Sequence, residues 1–143
     1  MSQTFAPEVA GAGTIPTNAA NGGLQGGRVR RFRATIPYAG QTSGSTIVLA
    51  DVPAGSTFMY GVINATATAG ATATIAIGNA TSATKYRGAV TFTTSDTPTL
   101  FAPAAVVAAA PSVAPERVIA TIGAASLPNS ANYAVVDLYF SAP

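Results

Sequence analysis

The chain has 143 residues, of which 48% are hydrophobic and 8% charged, with a formal net charge of +2. Cysteine, histidine and tryptophan are absent, which removes disulfides, thiolate chemistry, the commonest general base near neutral pH and the usual ligands of zinc and other transition metals. A chain of this size can bury one core without staples, and its composition calls for no cofactor and no metal, so a non-enzymatic role is expected.

Residues 1–27 hold Gly11, Gly13, Gly22, Gly23, Gly26 and Gly27 together with Pro7 and Pro16, and show no hydrophobic period. Such a segment is expected to form a flexible or extended N-terminal arm. Its first residues lack the basic stretch and apolar run of a secretory signal. No stretch reaches the roughly 18 uninterrupted apolar residues of a membrane helix, so no membrane partner is expected.

From residue 28 onward the pattern changes to short runs of β-branched and aromatic residues separated by Gly, Pro, Asn and Ser. These predict strands at 29–36, 46–52, 57–65, 72–77, 89–94, 118–122 and 133–141. Within 72–77, Thr72, Thr74 and Ala76 alternate with Ala73, Ile75 and Ile77, the period of two of a half-buried strand. Pro53-Ala54-Gly55-Ser56 and Gly78-Asn79-Ala80-Thr81-Ser82 supply the chain reversals. Residues 104–110 are alanine-rich but fenced by Pro103 and Pro111, which leaves room for one helical turn or a loop. Strands without intervening helices argue for one all-β domain over 28–143, an antiparallel β-sandwich or a jelly-roll-like fold.

The charge is unevenly placed. Arg28, Arg30, Arg31 and Arg33 fall within six positions, and without them the chain is net negative. On a strand, Arg31 and Arg33 share a face with Val29, while Arg28 and Arg30 share the other with Phe32. Charge on both faces suits an edge strand. These four arginines are the candidate protein-interface residues, placed to pair with acidic groups; a solvated, edge-protecting strand is the alternative. Only Lys85, Arg87 and Arg117 are basic elsewhere, too few for the broad basic surface that a nucleic-acid partner needs.

Other motifs carry less. The glycine runs link no strand to a helix and are followed by no Gly-Lys-Ser/Thr, so they are linkers and not phosphate loops. Ser82-Ala83-Thr84-Lys85 has the spacing of a serine–lysine catalytic pair, but it falls on a predicted loop and not on the helix which that chemistry uses. Tyr38, Tyr60, Tyr86, Tyr133 and Tyr139 would suit a sugar-binding platform if they met on one surface, although core and rim packing accounts for tyrosines as readily. Asn64-Ala65-Thr66 and Asn79-Ala80-Thr81 match glycosylation acceptors and are read as chance. The low charge and small apolar residues suit a surface that is covered by other protein.

The segment Ala50-Asp51-Val52-Pro53-Ala54-Gly55-Ser56, the run 58–65, then Ala73-Thr74-Ile75-Ala76-Ile77-Gly78-Asn79 and Lys85-Tyr86 resemble small structural proteins of tailed bacteriophages. The resemblance spans roughly residues 45–100 and extends loosely to the last strand. It implies a capsid decoration, or cement, protein: a β-rich virion component, made in the host cytoplasm, that binds the major capsid protein on the capsid surface, commonly as a homotrimer. Head-fibre, neck and tail components, or a carbohydrate-binding host-attachment module, are the other roles it leaves open.

Overall fold

The computed structural model describes residues 27–142, and the expected arm lies outside these apart from Gly27. The described residues form eight strands: β1 (Arg28–Pro37), β2 (Thr46–Val52), β3 (Thr57–Ala65), β4 (Thr74–Gly78), β5 (Arg87–Thr91), β6 (Thr99–Phe101), β7 (Glu116–Gly123) and β8 (Tyr133–Ala142). One helical turn, α1 (Ala104–Val107), lies between β6 and β7.

The strands pair antiparallel in a nested way: β1 with β8, β2 with β7, β3 with β6, and β4 with β5. Two further pairings, β3 with β8 and β4 with β7, gather them into four-stranded sheets ordered β1-β8-β3-β6 and β2-β7-β4-β5. A long hairpin rolled up in this manner is a jelly roll, one of the ways in which antiparallel chains limit their open edges. The core lies between the sheets and is filled by alternate residues of each, among them Ile36, Phe58, Ile63, Val136, Leu138 and Phe140 facing Val52, Ile75, Ile77, Val118 and Ile122.

Two strands sit differently from the sequence reading, and one is additional. β4 is displaced to Thr74–Gly78 and β5 to Arg87–Thr91, because a bulge interrupts their register between Ile75 and Ile77. The Arg87 guanidinium is buried there and donates to the Ile75 and Val90 carbonyls. A cation thus satisfies acceptors that the bulge takes out of the ladder. Phe92, whose apolar character extended the expected strand, lies beyond β5 as a buried loop residue, and its carbonyl accepts from the Ala69 amide at 2.8 Å. β6 has three residues between Pro98 and Pro103, too short to show a period; it exists because β3 pairs with it. The expected turn at 53–56 is present, with Gly55 at φ 81°, a conformation that costs glycine little.

Pairing of β6 depends on Gly61. It stands opposite Phe101, and a Cβ at that position would penetrate the Phe101 ring, which instead packs in the core beside Phe58 with ring centroids 6.4 Å apart. Gly61→Ala should therefore destabilise the protein by about 1–3 kcal/mol, as overpacking does, while Gly88→Ala, with nothing within 4 Å of the added carbon, should have little effect. Denaturant unfolding of the two variants checks this; equal stabilities would show that the Phe101 ring does not need the missing side chain.

Candidate protein-binding surface

The outward side of the β1-β8-β3-β6 sheet can be read row by row from the strand register. Pro37 lies beside Tyr133; Thr35 beside Val135 and Asn64; Arg33 beside Asp137, Val62 and Leu100; Arg31 beside Tyr139 and Tyr60; Val29 beside Ser141. An outward sheet face is ordinarily polar, yet this one carries three tyrosines and four large aliphatic residues. Leu100 is 66% exposed, Val29 58% and Tyr133 43%. Tyr60 and Tyr139 stack with ring centroids 4.6 Å apart. The outward side of the other sheet presents Thr46, Thr74, Thr91 and Thr121 with Val48, Ile119 and the exposed Asp51–Arg117 ion pair, and no aromatic residue among the described residues.

β1 is an edge strand, as the distribution of its arginines implied, and the structure divides the four. Arg33 makes a bidentate pair with Asp137, its Nε and Nη2 at 2.8 and 2.7 Å from the carboxylate oxygens, and Arg31 lies 3.9 Å from the same group. Hydrogen bonds from Arg33 hold the Asp137 carboxyl below its ordinary range, against its partial burial, and the Arg31 charge adds to this. Arg28 and Arg30 are exposed and have no carboxylate within ion-pair distance among the described residues. A groove of about 380 Å³ runs along the face from the Arg33–Asp137 pair to Tyr133, lined also by Val62, Asn64, Asp96 and Pro98.

The five tyrosines do not form one platform. Tyr38 and Tyr86 are buried, Tyr60 and Tyr139 cover each other's rings, and Tyr133 stands alone at the groove. Tyr38 donates to the Ala67 carbonyl at 2.6 Å.

Sequence reasoning did not anticipate a polar node at Glu116. Its carboxylate accepts from Lys85 Nζ at 2.6 Å, Tyr86 Oη at 2.7 Å and Asn79 Nδ2 at 3.0 Å. Asn79 in turn accepts from the Thr81 and Ser82 amides, 3.0 and 2.7 Å away, which ties the 78–82 turn to the start of β7. Burial pushes Glu116 upward, but the donated hydrogen bonds outweigh it and hold the carboxyl below its ordinary range. Lys85 is engaged with this carboxylate and is not oriented as a base for Ser82. Two depressions adjoin the node, one of about 60 Å³ lined by Ser56, Thr57 and Tyr86 and an open one of about 470 Å³ lined by Asn79, Thr81, Lys85 and Arg117. Among the described residues, no group of three or more acidic side chains could hold a metal ion.

No protein-family model matches the chain, and no curated protein matches it in sequence. Solved structures share its fold. A chain of the cyanophage Pam1 capsid asymmetric unit is 16% identical with a TM-score of 0.68, the alignment covering 82% of this chain and 86% of that one. A chain of the capsid of Ralstonia phage GP4 is 15% identical with a TM-score of 0.58, covering 82% and 84%. A chain of the acid-stable capsid of Helicobacter pylori bacteriophage KHP30 is 12% identical with a TM-score of 0.52, covering 80% and 88%.

Both carboxylate clusters link stability to pH. Because the folded pKa values of Asp137 and Glu116 lie below the ordinary ones, their contribution is fully present above the unfolded values near pH ~4 and is lost as pH falls through the lower folded values. The melting temperature should be flat from neutral pH down to about pH 5 and fall below about pH 4. Glu116→Gln should melt lower at neutral pH and fall less steeply in acid. A melting temperature that rises on acidification would contradict this assignment.

Proposed function

We propose that this chain is a virion structural protein of a tailed bacteriophage: a capsid decoration, or cement, protein that binds the major capsid protein at the capsid surface through the outward side of the β1-β8-β3-β6 sheet. The observation that carries the reading is the row Arg33, Asp137, Val62 and Leu100 beside the stacked Tyr60 and Tyr139. An apolar, aromatic centre bordered by arginine is the composition of a protein interface. The jelly roll shared with chains in three phage capsid structures supports the setting.

In this role the protein performs no chemistry and uses no cofactor. It holds neighbouring shell subunits together by area laid across their boundaries. About 800 Å² per partner is enough for specific binding, and symmetric copies raise the effective concentration of each contact. Arg31 and Arg33 line the β1 side of the face, and Arg28 and Arg30 project from the other side of the same edge strand; carboxylates of the shell would meet them in charge-assisted bonds. A homotrimer follows from the family resemblance, and residues 1–27 would add to the contact as an arm.

Co-sedimentation with shells lacking this protein tests the reading. Val62→Asp with Leu100→Asp should keep the melting transition and weaken attachment at least about tenfold, as loss of a central contact does, while Val48→Asp on the other sheet should attach normally. Deleting residues 1–26 should leave the β domain folded, because all eight strands lie within 28–142, and should also weaken attachment. Normal attachment of the Val62/Leu100 variant, or attachment to isolated tails and not to shells, would overturn the assignment.

A further inference from the structure

The four sheet edges of the jelly roll are not equivalent. β6 has three residues, while β2 and β5 have seven and five and each lies in a ladder with a register shift. β1 pairs with β8 over ten residues without any register shift, and among the described residues its other side faces no strand of the sheet. A long, regular edge is a template for another strand. Here the edge carries arginine on both faces: Arg31 and Arg33 on the outward side, Arg28 and Arg30 on the other.

From this we infer that the β1 edge takes up an extended acidic segment of a different protein as an added strand, with its main chain paired to β1 and its carboxylates against the arginines. The inference rests on the interface role proposed above and specifies its partner and mode. Charge decides between possible occupants. A second copy of β1 would set arginine against arginine, which disfavours pairing. This chain has no acidic strand to offer: Asp51, Glu116 and Asp137 are each bound by a cation at 2.7, 2.6 and 2.7 Å, Asp96 stands on a loop, and residues 1–26 include one carboxylate, Glu8. The arginines therefore exclude self-association of the edge and select a carboxylate-bearing strand, in which main-chain bonds supply affinity and side chains supply specificity. Arg28 and Arg30 need not leave a carboxylate of the described residues to engage it.

The test uses the full chain and synthetic ten-residue peptides of alternating glutamate pairs and threonine pairs, which project carboxylates from both faces of a strand, with no virion present, so its outcome is independent of whether the partner is a capsid shell. The glutamate peptide should bind and slow hydrogen exchange at amides of β1. Replacing its glutamates by lysine, or methylating alternate backbone nitrogens, should abolish binding. Arg28→Gln with Arg30→Gln, both exposed and outside the core, should weaken binding about tenfold with an unchanged melting temperature. Absence of binding, equal binding of the methylated peptide, or binding without protection of β1 would each overturn the inference.

Discussion

The alternation of β8 is the constraint on which the rest of this structure depends. Over Tyr133–Ala142 every second residue is buried, and the strand is paired on both sides, with β1 and with β3. Ala134, Val136, Leu138 and Phe140 fill the space between the sheets; Tyr133, Val135, Asp137 and Tyr139 form the middle of the outward face. A slip of one residue would turn the core set to solvent and the face set inward, so the same pattern that stabilises the sandwich fixes the composition of the surface that it presents.

Nested pairing then determines where charge goes. Because the first strand closes on the last, β1 lies at the edge, and its arginines border the apolar rows contributed by β8, β3 and β6. Asp137 fixes two of them from the neighbouring strand and leaves the other two outside any described ion pair. In the other sheet Glu116 gathers Lys85, Tyr86 and Asn79, joining the turn after β4 to β7. Asp51 and Arg117 pair on the outward side of the other sheet, and the β1-β8-β3-β6 face is left neutral enough to meet protein without stranding unpaired charge.

Much of this architecture was legible in the residues. The β1, β2, β3 and β8 runs have long, clear β patterns, and the edge position of β1 followed from arginine on both its faces. The single turn at Ala104–Val107 followed from the prolines on either side. What escaped was set by tertiary pairing: β6 has no pattern of its own and exists through Gly61 and Phe101, and the bulge at β4–β5 moved both strands. Of the candidate site, the four arginines were visible because they fall within six positions. The aromatic face was not, since Tyr60, Leu100 and Tyr139 are distant in sequence and meet only through register; nor was Glu116, whose three partners come from residues 79–86. Alternation shows that a residue faces away from the core, but not which residues of other strands lie beside it.

The role we propose requires the outward side of the β1-β8-β3-β6 sheet to be covered when the protein is bound to a particle. Hydroxyl-radical footprinting of the free protein and of the same protein on particles measures this side chain by side chain. Protection confined to Leu100, Tyr133 and Tyr139, with Val48 and Val113 labelled equally in both states, is the expected result. Protection of Val48 and Val113 with Leu100 and Tyr133 still open would contradict it.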